Sequence, residues 1–207
     1  MLLLFSKFTQ VLSKKSLLTL YTFCNIFIGC NQFYPYDKTI NSMVKFKCRW
    51  NISPNLGVMR PMSSIDTIVI HATERGSLYE VEEIFRSVKR EVSAHFTIAR
   101  DGSSVCHVPI GKVAWHAGKS HLPDGRESVN QFSIGIELLN KNDGLDPYSL
   151  RQLASLRDLL NYLCSSLPIS ILTTHRAIAQ PIGRKTDPVG LSPEKLNGVC
   201  VQARRIW

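Results

Sequence analysis

The chain has 207 residues, 44% of them hydrophobic and 20% charged, with 25 Lys and Arg against 16 Asp and Glu for a formal net charge of +9. This is enough chain for one sizeable core plus an appendage, with the composition of an ordinary soluble domain. The excess positive charge is scattered in runs no longer than two, and no nucleic-acid-binding module signature is present, which argues against nucleic acid as a partner. A diffuse positive field fits an anionic surface such as a cell wall or membrane.

In chain order, residues 1–30 hold Lys7, Lys14 and Lys15, carry no acid, and run into "SLLTLYTFCNIFIGC". Lysines followed by roughly 7–15 apolar residues and then small ones form an export signal or a membrane-tethering segment. The stretch before Cys30 is too short to span a bilayer comfortably as a mature anchor. "FIGC" also resembles the lipobox of bacterial lipoproteins, with Phe27 where that family usually has Leu. The expectation is a periplasmic protein, attached to a membrane if Cys30 is lipidated. The alternative is a cytoplasmic protein starting at Met43. Residues 31–63 read as a lead-in and residues 64–207 as the domain.

The ordered pattern begins at "IDTIVIH", a β-branched strand ending on His71. "LYEVEEIFRSVKR" follows as an amphipathic helix with Leu78, Val81, Ile84, Phe85 and Val88 on one side. "AHFTIARDGSSVCHVPI" reads as a hairpin turning at Asp101-Gly102. A Gly/Pro/His-rich loop over 111–131 precedes the strand "FSIGIELLN". "PYSLRQLASLRDLLNYLCSSL" is the longest helix, with Leu150, Leu153, Leu156, Leu160 and Leu163 facing the core. "ISILTTH" is a strand ending on His175. "SPEKLNGVCVQARRIW" opens as a helix with Ser192 at its N-cap and Pro193 at its first position. Strands alternating with helices predict a single α/β domain, a mixed central β-sheet flanked by helices.

The six cysteines, at 24, 30, 48, 106, 164 and 200, contain no CxxC pair, which argues against a cysteine-rich zinc module. Cys106 lies on a strand and Cys164 on a helix face, positions where buried free thiols are commonplace. Disulfides are open to an exported chain, with no pairing legible.

Strand alternation puts Thr67, Val69 and His71 on one face of the first strand, and Gly135 and Glu137 together on one face of "SIGIEL". A carboxylate in so apolar a strand is costly to bury unless it is paired or functional. Gly135 beside it leaves room for another group to approach. In "RKTDP", an extended backbone points Lys185 and Asp187 the same way. Two imidazoles, His71 and His175, with the Asp187 carboxylate would make a three-ligand Zn²⁺ set with a position open for water.

The blocks "IDTIVIHAT", "VSAHFTIARDG", "VPIGKVAWHAG", "NQFSIGIELLN" and "HRAIAQPIGRKTDPVG" resemble, in order and nearly in wording, the AmpD/AmiD-type zinc-dependent N-acetylmuramoyl-L-alanine amidases. This is the amidase type 2 and peptidoglycan recognition protein family, and the resemblance covers about residues 64–191. It implies His71, His175 and Asp187 as zinc ligands, Glu137 as the catalytic glutamate and Lys185 near the scissile carbonyl. It further implies that Trp115 and His116 line the substrate groove and that peptidoglycan or muropeptides are the partners. Ala72 departs from the asparagine that follows the first histidine in cytoplasmic AmpD. His95 belongs to a family block but reads as structural, and His107 and His121 as surface or loop residues. The alternative within the same family is a non-catalytic peptidoglycan-binding module; retention of Asp187, Glu137 and Lys185 favours the enzyme.

Overall fold

β-Branched side chains pack well on a pleated surface, and the run Thr67–Ala72 forms a strand buried along its whole length in this computed structural model, which describes residues 46–207. The segment 1–30 lies outside the described residues. The strands are β1 (Arg49–Trp50), β2 (Leu56–Met59), β3 (Thr67–Ala72), β4 (Phe96–Ile98), β5 (Ser104–Cys106), β6 (Lys112–Ala114), β7 (Ser133–Leu138), β8 (Ile171–Thr174) and β9 (Arg204–Ile206). The helices are α1 (Leu78–Arg86), α2 (Leu150–Ser166) and the single turn α3 (His175–Ile178).

Among the described residues, seven strands form one mixed sheet in the order β1-β5-β4-β7-β3-β8-β9, while β2 pairs separately with β6. The expected mixed α/β sheet is present. Its centre is parallel, with β3 between β7 and β8, and the predicted hairpin is the antiparallel pair β4–β5. At the hairpin turn Asp101 Oδ1 accepts from the Ser103 amide at 2.9 Å, and Gly102 takes φ +87°, a conformation costly for other residues.

The alternation read from sequence sorts the two faces. Ile68 and Ile70 of β3 and Ile134, Ile136 and Leu138 of β7 pack in one cluster with Leu156, Leu159, Leu160 and Leu163 of α2. Burying each such side chain contributes about 1.5–3 kcal/mol. Val69 points the other way, into a cluster with Ala117, Leu122, Val129 and Ile178. The long helix thus covers one face, and the loops after β6 and β8 cover the other. Ser149 caps α2 by accepting from the Gln152 amide at 3.1 Å.

Several expectations need correction. Leu150 opens α2 but is 86% exposed, because the helical stripe that meets the sheet begins a turn later. Val88 falls beyond α1 in a 3-10 turn and is exposed. The C-terminal segment is not an α-helix: Pro193–Leu196 is a 3-10 turn, Ser192 makes no side-chain cap, and the chain then returns to pair β9 beside β8. His175 does not end its strand but opens α3. His107 lies in the loop after β5, as expected, but is buried there and not at the surface, with Nδ1 3.0 Å from the Asn51 carbonyl and Nε2 3.0 Å from Thr97 Oγ1. The described part of the lead-in, residues 46–63, supplies β1 and β2 and is part of the sheet system. Finally, Cys106 and Cys164 are not free thiols. Cys48–Cys106 joins the residue before β1 to β5, and Cys164–Cys200 joins α2 to the C-terminal segment.

Leu160→Ala is expected to cost about 2–5 kcal/mol through the cavity it leaves. Leu150→Ala is expected to change stability by no more than about 0.5 kcal/mol. Urea unfolding of the two variants checks both values.

Candidate active site

In open α/β sheets the crevice at the carboxyl ends of the strands is where ligands bind, and this sheet places its chemistry there. The β3–β7 register sets His71 directly beside Glu137, and Val69 beside Gly135. β8, on the other side of β3, delivers His175 as the first residue of α3. The following loop returns Asp187. It is pinned where the Arg176 amide donates to the Asp187 carbonyl at 2.9 Å, and the Val189 amide to Asn142 Oδ1 at 2.7 Å. Arg184 straps this loop to its neighbour by donating to the Lys119 and Ala117 carbonyls at 2.8 and 3.3 Å.

His71, His175 and Asp187 are all buried, with one potential ligand atom from each lying within 4.8 Å of the others. Asp187 Oδ2 is 3.5 Å from His71 Nδ1 and 3.2 Å from His175 Nδ1. A tetrahedral ion held at about 2.0–2.1 Å would separate its ligand atoms by roughly 3.3–3.4 Å, so the donor set fits a metal ion. Asp187 Oδ1 is buried with no hydrogen-bond partner.

Burial acts on these groups in different directions. With His175 alongside, it pushes the His71 imidazole down to about 4, keeping it neutral as a metal ligand must be. Burial alone would raise the Asp187 carboxyl, but hydrogen bonds from His175 and His71 hold it far below the usual carboxylate range. Burial, and after it the Asp187 charge, pushes Glu137 well above that range, while the Lys185 charge pulls the other way. Glu137 Oε2 is buried without a partner, and the residue lines a small pocket with Thr73, Arg75, Val81, Ile84 and Phe85. A carboxyl with a raised pKa is suited to taking and giving back a proton near neutrality.

Trp115 is half-buried and fixed by its backbone: its amide donates to Ser93 Oγ at 3.0 Å, and its carbonyl accepts from the Ser93 amide at 3.1 Å. His116 turns inward, with Nδ1 3.0 Å from His71 Nε2 and Nε2 3.1 Å from Ser133 Oγ. The room beside Glu137 that Gly135 leaves is filled by this ring: a Cβ on Gly135 would sit 2.4 Å from His116 Cγ. His95 is structural, as expected. Its backbone amide donates to the Gly135 carbonyl and its Nδ1 accepts from the Gly135 amide, both at 3.0 Å.

Sequence reasoning missed Asn130, whose Oδ1 accepts from the His116 and Ala117 amides at 3.1 and 2.9 Å and shapes that loop. It also missed Arg60, a buried guanidinium donating to the Ser133 and Asn130 carbonyls at 2.8 and 2.9 Å. Neither sits in a periodic pattern that could reveal it.

A buried His–His–Asp group with Glu137 in register beside it, at the carboxyl edge of an α/β sheet, defines the class as an α/β fold with a site that could hold a metal ion. The chain belongs to the N-acetylmuramoyl-L-alanine amidase family, whose profile matches residues 61–190. It is 46% identical over 101 residues to the 1,6-anhydro-N-acetylmuramyl-L-alanine amidase AmpD of Salmonella typhimurium, covering 47% of this chain and 50% of that protein. The chain therefore spans about half the length of the curated relatives it matches. A crystal structure of a selenomethionine AmpD derivative superposes with a TM-score of 0.64 at 31% identity, covering 72% of this chain and 92% of the other. The Escherichia coli amidase AmiD, in complex with anhydro-N-acetylmuramic acid-L-Ala-D-gamma-Glu-L-Lys, superposes with a TM-score of 0.52 at 28% identity, covering 62% and 53%.

Gly135→Ala is expected to lower stability by about 1–3 kcal/mol, because the His116 ring has no room to retreat. Gly76→Ala, where a Cβ meets only Lys141 Cε at 3.7 Å, serves as the control. Thermal unfolding distinguishes them.

Proposed function

We propose that the protein is a zinc-dependent amidase. Its substrate would be the amide joining the lactyl group of N-acetylmuramic acid, intact or in the 1,6-anhydro form, to L-alanine in peptidoglycan or muropeptides. The observation that carries this reading is the His71–His175–Asp187 group with Glu137 in register beside His71. The family match and the AmpD and AmiD relatives support it.

Two imidazoles and one carboxylate suit zinc and leave a fourth position open. Zinc held by His71, His175 and Asp187 would supply Lewis acidity and would lower the pKa of a bound water to about 7. Glu137 takes the proton of the attacking water and passes it to the departing alanine nitrogen, which cannot leave as an amide anion. Lys185 is half-buried, and its charge reaches both Glu137 and His71, so it stabilises the negative oxygen of the tetrahedral intermediate. Such a donor can be worth ~3 kcal/mol. Trp115 offers its indole to the substrate groove.

Glu137→Gln is expected to keep the fold and zinc binding but lose roughly 10²–10⁴ in kcat, since the amide cannot shuttle a proton. Mass spectrometry of products from defined muropeptides reads the loss. Unchanged kcat would assign the proton transfer to another residue, and wild-type protein that binds muropeptides without cleaving them would favour a binding module.

We further infer that the protein works outside the cytoplasm. Support comes from the lysine-then-apolar N-terminal sequence ending at Cys30 and from two disulfides in the described domain, a bond type that persists in oxidising compartments. The chain stays net positive without residues 1–30, since these hold three lysines of the 25 basic residues set against 16 acidic ones, and this favours residence near anionic wall polymer. Cell fractionation is expected to recover the native chain outside the cytosol. Membrane recovery abolished by Cys30→Ala would diagnose lipidation, and soluble periplasmic recovery would diagnose simple cleavage. Full-length protein found only in the cytosol overturns export.

A further inference from the structure

We propose that His116 is a positioning residue that fixes the tautomer of His71, through a one-way hydrogen-bond relay ending on the backbone of Val129. The proposal rests on the zinc reading of His71, His175 and Asp187.

Both ligand imidazoles turn Nδ1 toward Asp187 Oδ2 and Nε2 away from it, toward the loop 115–117. For His175 the arrangement is simple, with Nε2 3.3 Å from the Ala117 carbonyl, which can only accept. A neutral ring that donates from Nε2 has its lone pair on Nδ1, free to bind a metal. His71 has no carbonyl there. Its Nε2 faces His116 Nδ1 at 3.0 Å, an atom that can donate or accept, so this contact alone does not select a tautomer.

The rest of the relay does. Ser133 Oγ lies 2.6 Å from the Val129 carbonyl, so the hydroxyl hydrogen is committed there. Ser133 Oγ then has only lone pairs to offer His116 Nε2 at 3.1 Å, and that nitrogen must carry the His116 proton. His116 Nδ1 is left as an acceptor, and His71 must donate from Nε2. Nδ1 of His71 is thereby kept bare. Reversing the chain would turn the Ser133 hydroxyl to His116 and strip Val129 of its donor. It would also place a proton on His71 Nδ1, facing Asp187, which excludes a metal.

The geometry around His116 holds it to this task. Its backbone amide is anchored to Asn130 Oδ1 at 3.1 Å, and its ring occupies the space that only a glycine at 135 leaves open. Ser133 and Glu137 share β7, so the strand that presents the carboxyl also carries a link of the relay. Partners of ligating histidines beyond the ligand set commonly tune metal affinity 10–100-fold.

The test uses the full chain with zinc as the probe. His116→Leu, which can neither accept nor donate, is expected to weaken zinc binding roughly 10–100-fold in a chelator competition. His116→Asn, with Oδ1 in place of the accepting nitrogen, is expected to recover most of that loss, and Ser133→Ala to weaken binding in the same direction as His116→Leu. Nitrogen-15 NMR of the zinc-loaded wild type is expected to find His71 protonated on Nε2. A packing role alone would not restore affinity in His116→Asn or set the His71 tautomer. Unchanged zinc affinity in folded His116→Leu, or a zinc-loaded His71 protonated on Nδ1, overturns the relay and leaves the zinc reading intact. Wild-type protein that binds no zinc overturns both. If His116→Leu does not fold, His116→Asn, Ser133→Ala and the wild-type tautomer decide the matter.

Discussion

The register between β3 and β7 is the constraint on which the rest depends. Side chains alternate with a period of two, so a slip of one residue would carry Ile68, Ile70, Ile134 and Ile136 out of the helix-covered core. The same slip would separate His71 from Glu137. The hydrophobic face and the reactive face are therefore specified by one pairing: the energy that locks the isoleucines under α2 also aligns an imidazole with a carboxyl on the far side. β8 extends the argument, since its pairing of Thr174 with Ile70 brings His175 to the same end.

Packing two carboxyls and three imidazoles into so dry a place would be ruinous if each stood alone. The structure separates their fates by their partners. Asp187 has two imidazoles against one oxygen and stays ionised, whereas Glu137 has a buried oxygen with no donor and drifts toward the protonated form. Titratable groups driven apart by their surroundings take on different roles. Under the proposed reading, the one held ionised would be the ligand and the one raised the proton carrier.

Much of this was legible in the sequence, because period-two alternation is local and the central strands are fully buried. Thr67–Ala72 and Ser133–Leu138 lie where the pattern put them, with Glu137 and Gly135 on the reactive face. What escaped was non-local. β1 is two residues long and depends on β5 and a disulfide, so no periodicity marks it. The segment after Ser192 has a helix-start signature, but pairing with β8 and tethering by Cys200 override it. Gly135 announced a gap without naming the occupant: His116 arrives from a loop with no repeat to read. The burial of His107 escaped because its partner, the Asn51 carbonyl, precedes it by 56 positions.

The sheet's margins carry a consequence for colloidal behaviour. An open sheet ends in unpaired amides and carbonyls, which can template a neighbouring molecule into a growing ladder. Here one margin is the two-residue β1, opening on an arginine committed to Glu82, and the other is the three-residue β9, opening on an exposed arginine. Each is covalently stapled nearby, at Cys48 and at Cys200. Stubs this short and this charged give a second copy almost no ladder to add to. The sheet therefore terminates itself, and crowding molecules together does not turn their edges into a seed for aggregation.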